Sequence, residues 1–229
     1  MPKRTIKAGR NKAVGEVSST KNAASSPSES RLEQDFLMLL EFDKSVAQYG
    51  VQPITIRWQD ADGRHRQYTP DVAVIYARKI WNEEPLQPTT IFEVKPRDIL
   101  VRDWHELRPK FRAAVSWCRA NGLRFKLVTD RQIKTPYLEN VRFLWRYRER
   151  PLLGFDEIGH RQHVTLRETL RTLASSTPKQ LLEAIESDQR KRLELVPMIW
   201  QMIWLGVIDA DLTVPLKMNT SIWLNPNRS

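Results

Sequence analysis

The sequence predicts an α/β protein in which a domain built on a small mixed sheet is followed by a smaller, mostly helical domain. Short β-rich runs alternate with turn signals between residues 54 and 94. A long amphipathic helix separates the last of these runs from one more short strand, and helical runs take over beyond about residue 150. With 229 residues, 41% of them hydrophobic, the chain can bury one good core and a small second domain.

The first 27 residues differ in composition from the rest of the chain. They contain six basic residues, one acidic residue and almost no large apolar side chains. Such a segment cannot offset the entropy lost on ordering, so residues 1–27 are predicted to form a flexible basic N-terminal arm. They also lack the apolar segment that a signal peptide requires.

A helix is predicted to begin after Ser30, because Ser30 and Glu33 have the spacing of a capping box. Apolar residues then recur at helical spacing, at Leu32, Phe36, Leu39 and Leu40. Glu33 lies in the first turn, where the helix dipole favours a carboxylate. A structural role at the helix end is therefore one interpretation of Glu33, and a functional role is the other.

A β-hairpin is predicted next. The β-rich runs 54–58 and 64–69 flank the sequence Asp-Ala-Asp-Gly at 60–63, which is a typical hairpin turn. A third strand is predicted at 72–77. The short spacing between these runs favours antiparallel pairing.

The last strands of the sheet are joined by a helix. A strand is predicted at 90–94 and ends at Pro96, because proline has no amide hydrogen for the ladder. A helix over 103–121 follows, and a strand at 125–129 comes after it. A helix that connects two strands in this way is a crossover, so the predicted sheet is mixed.

Acidic and basic side chains meet at the ends of two predicted strands. Asp71 begins one strand, and 22 residues later Glu93, Val94 and Lys95 end another. Because side chains alternate between faces, Glu93 and Lys95 project from the same side of the sheet. Two carboxylates suit a hard cation such as Mg²⁺, for which we expect Mn²⁺ to substitute. The pattern predicts metal-assisted hydrolysis of a phosphodiester.

The charge distribution favours a nucleic-acid substrate. The net charge is +10; residues 28–96 carry eight basic and eleven acidic residues, and residues 97–150 carry fourteen basic and six acidic. A basic block beside an acidic site indicates a phosphate-binding flank, although an arginine-rich solvated surface is the alternative. The candidates for phosphate contact, taken as a group, are Arg97, Arg102, Lys110, Arg112 and Arg131.

Several classes of protein are excluded by composition. A single cysteine, Cys118, rules out a disulfide framework and a cysteine-rich zinc site, and the four histidines have no zinc-ligand spacing. The sequence has no uninterrupted apolar stretch of the length needed to span a membrane. We therefore expect a soluble cytoplasmic protein that does not bind membranes.

Residues 151–229 are predicted to form a winged-helix-like interaction domain. Helical runs at 165–174, 178–186 and 189–205 precede β-like runs at 212–216 and 220–224. The third helix starts with Arg-Lys-Arg at 190–192 but then becomes strongly apolar, and the segment has no net charge. This composition favours a buried helix or a protein-docking face over a DNA-reading helix.

These motifs together resemble a known family. The arrangement of Asp71, Glu93 and Lys95 resembles that of the PD-(D/E)XK nuclease superfamily, which has the restriction-endonuclease-like fold. More specifically, the chain resembles the TnsA family over about residues 28–225. The resemblance is carried by residues 30–43, Gln52-Pro53, Tyr68-Thr69-Pro70-Asp71, Glu93-Val94-Lys95-Pro96 and the C-terminal motifs within 205–223.

The resemblance implies a restriction-endonuclease-like catalytic domain over residues 28–150. Carried over by position, Glu33, Asp71, Glu93 and Lys95 match the catalytic set of the family. Asp71 and Glu93, with help from Glu33, match its metal ligands. Lys95 matches the lysine that positions the attacking water.

The resemblance also implies a biological role. TnsA proteins are the endonuclease subunit of a two-subunit transposase, and they cut the 5′ non-transferred strands at transposon ends. A DDE-type partner, TnsB, cuts and joins the 3′ strands. The second domain of the family engages the AAA+ regulator TnsC and helps to dock TnsB. Such a protein acts on double-stranded DNA in the bacterial cytoplasm and associates with the nucleoid during transposition.

Two other functions stay open at this point. One is a restriction or repair-type endonuclease of the same fold that acts alone. The other is a catalytically silent scaffold that links a transposase to its AAA+ regulator. A complete set of Glu33, Asp71, Glu93 and Lys95 argues against the scaffold, because a vestigial site is free to lose one of its members.

Overall fold

Two compact units make up the chain, Met1–Ile133 and Lys134–Ser229. The structure is a computed structural model and describes Lys21 and residues 30–60, 62–79, 83–148 and 157–226. Among these residues, no helix combines the length and the apolar character needed to cross a membrane.

The first unit contains a four-stranded mixed sheet and a separate hairpin. Its strands are β1 Val46–Val51, β2 Ile56–Gln59, β3 His65–Tyr68, β4 Val72–Tyr76, β5 Thr90–Val94 and β6 Arg124–Val128. The order in the main sheet is β1-β4-β5-β6; the first two pairings are antiparallel, and β5 pairs with β6 in parallel. The predicted mixed sheet is therefore confirmed.

The helices of the first unit are α1 Arg31–Phe42, α2 Arg97–Arg102, α3 Trp104–Ala120 and α4 Asp130–Ile133. Helix α1 begins where the sequence predicts, because the Ser30 side chain accepts a hydrogen bond from the Glu33 amide at 3.2 Å. The ring centroid of Phe36 lies 5.1 Å from that of Phe92 in β5. Helix α1 thus covers the sheet face to which Phe92 points, and Glu93 points to the other face.

The predicted hairpin is confirmed, but it does not join the main sheet. Strands β2 and β3 pair only with each other among the described residues, and Gly63 occupies the left-handed region of the turn with φ +76°. Tyr68 and Ile56 from the hairpin share a core cluster with Phe111 and Ala114 of α3. The hairpin and α3 together cover the face of the sheet opposite α1.

Strand β1 lies at the edge of the main sheet, next to β4. The sequence does not predict it as a strand. Its residues include Ala47 and Gly50, which are poor strand formers. Strand β1 exists because it pairs with the buried strand β4, with a bulge between Val46 and Gln48. Tertiary pairing outweighs local propensity here.

One residue of the predicted flexible arm is held in place. Lys21 lies within residues 1–27, and its ammonium donates to the carbonyls of Leu40 at 3.0 Å and Asp43 at 2.6 Å. A lysine at the C-terminal end of α1 satisfies carbonyl groups that lack partners within the helix. The other residues of the predicted arm lie outside the described residues.

The second unit combines helices with a small antiparallel sheet. Its elements are α5 Pro136–Trp145, α6 Glu157–Leu173, β7 Ser175–Ser176, α7 Pro178–Ile185, α8 Gln189–Leu205, β8 Ile208–Ala210 and β9 Ile222–Leu224. Helix α8 has the predicted bounds and ends at Gly206, whose φ is +72°. The sheet order is β7-β9-β8. Helices α6, α7 and α8 with a short sheet agree with the winged-helix prediction, which stays a prediction.

The position of one predicted strand differs from the structure, and the predicted domain boundary stays a prediction. The predicted strand at 212–216 is a loop, and the strand lies earlier, at Ile208–Ala210. The predicted end of the nuclease domain, at residue 150, falls within 149–156, outside the described residues. The division between the units lies between Ile133 and Lys134, so α5 belongs to the second unit, where it packs against α8.

Asn140 of α5 explains why the 212–216 segment is not a strand. Its buried amide donates to the carbonyls of Leu212 at 2.8 Å and Val214 at 2.7 Å. Its carbonyl oxygen accepts from the Leu216 amide at 2.9 Å. One side chain thus takes the hydrogen bonds that a partner strand would otherwise supply.

We expect Asn140→Ala to lower the free energy of unfolding of the second unit by about 2–3 kcal/mol, because three hydrogen bonds are lost at a buried position. Hydrogen exchange on the full-length chain should show faster exchange of the Leu216 amide. The matched control is Asn121→Ala, which removes one exposed bond to the Trp117 carbonyl. Unchanged protection of Leu216 in Asn140→Ala would contradict the role assigned to this side chain.

Candidate active site

The register of β4 and β5 brings two acidic residues together. Val72 lies opposite Phe92 in the antiparallel pair, so the next position along the ladder sets Asp71 opposite Glu93. Side chains directly opposite each other share a face, with about 5 Å between their Cβ atoms. In addition, the Asp71 carboxylate accepts a hydrogen bond from the Val94 amide at 2.7 Å. The structure therefore places the two carboxylates side by side at the strand ends.

The backbone on the other side of Asp71 is also fixed. Gln52 has a φ of +48°, in the left-handed region, and its amide donates to the Asp71 carbonyl at 2.7 Å. A non-glycine residue in this region is strained and needs support from its surroundings. Asp71 is thus held by Gln52 through its main chain and by Val94 through its side chain.

Glu93 is almost completely buried, with 1% of its surface exposed. The Tyr68 hydroxyl donates to Oε2 of Glu93 at 2.5 Å. The other oxygen, Oε1, accepts from the Lys110 ammonium at 3.0 Å and lies 3.5 Å from the Lys95 ammonium. A buried carboxylate needs such partners, because an unpaired charge in the interior is costly.

Lys95 lies where the alternation of β5 predicts. Its backbone amide donates to the Val128 carbonyl of β6 at 2.9 Å, so the strand pairing continues through this residue. Its side chain projects from the same face as Glu93 and is partly exposed. The ammonium is therefore held beside the carboxylates and remains in contact with solvent.

The surroundings of Asp71 disfavour its ionised form. Burial, followed by repulsion from the carboxylate of Glu93, raises the pKa of Asp71 to about 7. The Val94 amide and the Lys95 ammonium act in the opposite direction, and the charge of Glu33 adds to the rise. Burial and the neighbouring Glu93 also raise the pKa of Tyr68, which keeps this hydroxyl a donor. Additional positive charge beside Asp71 would stabilise its ionised form.

Glu33 is close enough to affect Asp71, but its carboxylate points elsewhere. Its Oε1 accepts a hydrogen bond from the Ser30 hydroxyl at 2.8 Å, at the start of α1. Across the described residues, no three histidine, cysteine, aspartate or glutamate side chains group closely enough to hold a metal ion. In this conformation Glu33 forms a hydrogen bond at the start of α1. The two closely spaced carboxylates of the site are those of Asp71 and Glu93.

These two carboxylates fit a hard divalent cation. Their oxygens are the donors that Mg²⁺ prefers, and its charge would relieve the repulsion that raises the pKa of Asp71. Two protein carboxylates completed by water or substrate oxygens are a usual ligand set for Mg²⁺. Oε1 of Glu33 is bonded to Ser30, so a contribution of Glu33 as a third ligand would come through its other oxygen.

The five basic residues predicted to contact phosphate have different surroundings, and their role in phosphate contact stays a prediction. Arg97 and Arg131 are exposed, and the exposed Arg102 forms a double ion pair with Asp103, at 2.7 and 2.8 Å. Lys110 contacts Glu93. Arg112, two residues further along α3 and so about 200° around the helix, lines a groove of about 1050 Å³ beside the hairpin.

Sequence reasoning missed the two partners of Glu93. Tyr68 lies three residues before Asp71, in the segment that carries the family resemblance, but nothing in the pattern states what its hydroxyl binds. Lys110 could be found only as one basic residue among many. Its contact with Glu93 depends on where α3 packs on the sheet, and this packing is a tertiary property.

A mixed sheet that carries an acidic pair and a lysine at adjacent strand ends is typical of a nuclease-like α/β domain. Residues 43–130 match the family described as TnsA-like endonuclease N terminal. The matched segment contains Asp71, Glu93, Lys95 and Lys110, and Glu33 precedes it. Residues 43–130 are therefore similar to a TnsA-like endonuclease domain, and the resemblance found in the sequence is confirmed over this segment. A comparison with curated proteins gives no significant match.

We expect Asp71→Asn to raise the free energy of unfolding of the metal-free protein at pH 8. The ordinary pKa of an aspartate is 3.8 and that of folded Asp71 is about 7, so the wild type loses stability as the pH rises between these values. The amide cannot ionise, and it can still accept from Val94. Its advantage should therefore widen over this range and reach roughly 1–4 kcal/mol, at about 1.4 kcal/mol per pKa unit.

Denaturant unfolding at pH 5 and pH 8, in the presence of a chelator, measures this difference. Asp62→Asn is the matched control, because the Asp62 side chain is largely exposed in the hairpin turn. Its effect should be small and independent of pH. Equal stability of wild type and Asp71→Asn at pH 8 would show that Asp71 is not strained by burial and by Glu93.

Proposed function

We propose that this protein is the Mg²⁺-dependent endonuclease subunit of a heteromeric TnsA/TnsB transposase. It cuts the 5′ non-transferred strands at transposon ends, while a DDE-type TnsB partner processes the 3′ strands. The proposal is carried by one observation: Asp71 and Glu93 lie opposite each other, beside Lys95, within a segment that matches the TnsA-like endonuclease domain.

In the proposed reaction, Asp71 and Glu93 would hold the cation, and Glu33 would assist them. The ion, when bound, polarises the phosphate and lowers the pKa of a water molecule. Lys95 orients the attacking water or offsets the charge that develops on the phosphate. The Tyr68 hydroxyl keeps Glu93 in one orientation. Attack opposite the leaving 3′ oxygen gives a 5′ phosphate and a 3′ hydroxyl.

The proposed partners of the second unit are TnsB and the AAA+ regulator TnsC. Support comes from the family resemblance and from the absence of net charge in residues 151–229. The apolar run of α8 gives less support than the sequence suggested, because Met198, Trp200 and Trp204 are buried in the described structure. Of its hydrophobic side chains, Leu193 is largely exposed, at 64%.

We expect Asp71→Ala to abolish 5′-strand cleavage and to leave DNA binding in metal-free buffer nearly unchanged. The substitution removes one of the two carboxylates that hold the ion, whereas DNA binding depends on the basic residues. Strand-resolved mapping of the ends produced by the assembled transposase measures the first effect, and a mobility-shift assay measures the second.

Asp62→Ala is the control for this experiment and should cleave like the wild type. The protein alone should leave a plasmid uncut in Mg²⁺, whereas a nuclease that acts independently would cut it. Wild-type nicking by Asp71→Ala in the assembled transposase would remove Asp71 from the mechanism.

A second experiment separates the two interpretations of Glu33. If Glu33 assists the metal site, Glu33→Gln should slow cleavage by on the order of 10–100-fold, the usual cost of removing a supporting group at a metal site. Ser30→Ala removes the cap of α1 and should cost about 1 kcal/mol of stability while cleavage continues. Equal cleavage by wild type and Glu33→Gln, together with a lower melting temperature, would restrict Glu33 to the helix end.

A further inference from the structure

Lys110 reaches the acidic site from an element that the metal motif does not include. It lies in α3, and its ammonium donates to Oε1 of Glu93 at 3.0 Å, the same oxygen that Lys95 approaches at 3.5 Å. Oε2 of Glu93 is taken by the Tyr68 hydroxyl. Both oxygens of this proposed metal ligand are therefore engaged by groups of the protein itself.

Aromatic rings hold the Lys110 ammonium in this position. The nitrogen lies 4.7 Å from the ring centroid of Tyr68 and 5.0 Å from that of Phe111, within the range of cation–π attraction. Phe111 is buried in the core beneath the hairpin. The Lys110 side chain is 23% exposed, so part of it remains in contact with solvent. These contacts distinguish Lys110 from a mobile surface lysine.

Two ammonium groups already lie beside the acidic pair before any cation binds. Asp71 and Glu93, when ionised, carry two negative charges, and Lys95 and Lys110 carry two positive charges. A divalent cation would add two more positive charges and would compete with Lys110 for Oε1 of Glu93. Its binding becomes favourable when Lys110 leaves the carboxylate, or when a phosphate supplies negative charge.

We propose that Lys110 is a positioning residue that occupies Glu93 in the DNA-free protein and makes metal binding depend on the DNA phosphate. When DNA arrives, the ammonium transfers from Oε1 to a phosphate oxygen, and the carboxylate becomes available to the cation. This inference rests on the proposed nuclease function. It predicts that the nuclease subunit holds its metal weakly until DNA is bound.

Metal binding without DNA tests the proposal directly. Mn²⁺ is titrated into the full-length protein, and the free ion is measured by its electron paramagnetic resonance signal. Lys110→Met should bind Mn²⁺ about tenfold more tightly than the wild type, because the competing charge is lost. Lys110→Arg keeps the charge and should bind as weakly as the wild type. Lys110→Gln replaces the Met variant if that variant does not fold.

Lys126→Met is the matched control. It removes the same charge from β6, where Lys126 is exposed and lies 6.0 Å from the Phe92 ring, on the sheet face opposite Glu93. Its Mn²⁺ affinity should stay within about twofold of the wild type, since solvent screens exposed charges. A difference between Lys110→Met and Lys126→Met therefore reports the contact with Glu93 and not the net charge of the protein.

The second readout is the coupling between metal and DNA. Because coupling is reciprocal, Mn²⁺ should tighten the binding of a non-hydrolysable duplex by the same factor by which the duplex tightens the binding of Mn²⁺. Fluorescence anisotropy at matched ionic strength measures this factor. It should be large for the wild type and for Lys126→Met, and smaller for Lys110→Met.

The outcomes separate this inference from the function on which it rests. Mn²⁺ binding that requires Asp71 but does not change in Lys110→Met overturns the inference alone and makes the Lys110–Glu93 pair a structural contact. Weaker Mn²⁺ binding by Lys110→Met also overturns it. The absence of Asp71-dependent Mn²⁺ binding from every variant, with and without DNA, overturns the proposed metal site and the inference together.

Discussion

The antiparallel register of β4 and β5 is the constraint on which the rest of the site depends. It sets Asp71 opposite Glu93 at the end of the sheet, and the Val94 amide holds Asp71 there. A slip of one residue would turn one carboxylate to the face covered by α1 and would separate the pair. Two buried acids held this close repel each other, so the protein must supply positive charge, and it does so through Lys95 and Lys110.

One face of the main sheet packs against a supporting helix, and the other face carries the acidic site. Helix α1 packs against the Phe92 face and anchors the sheet through apolar contact. The hairpin and α3 cover the Glu93 face, where each contributes one polar group, the hydroxyl of Tyr68 and the ammonium of Lys110. The core cluster that holds the hairpin against α3 thus also positions the two donors. Packing and electrostatics therefore depend on the same residues.

Local signals in the sequence were enough for elements whose pattern is strong. The apolar run of β5, the hairpin turn with Gly63 and the bounds of α8 all follow from residues within the element. Strand β1 was missed because its stability comes from pairing with β4, and the 212–216 segment was mistaken for a strand because Asn140, more than seventy positions away, takes its hydrogen bonds. Asp71, Glu93 and Lys95 could be predicted because strand alternation and spacing place them. The contact of Lys110 with Glu93 could not, because it depends on how α3 packs.

The hairpin and the acidic pair belong to one continuous piece of chain. Only Thr69 and Pro70 separate the tyrosine that secures Glu93 from Asp71, and the ring of Pro70 limits backbone rotation between them. A displacement of the hairpin would therefore move Tyr68, which is bonded to Glu93, and Asp71 together. A macromolecule that binds to β2 and β3 would therefore change the relative position of Asp71 and Glu93 without contacting either residue.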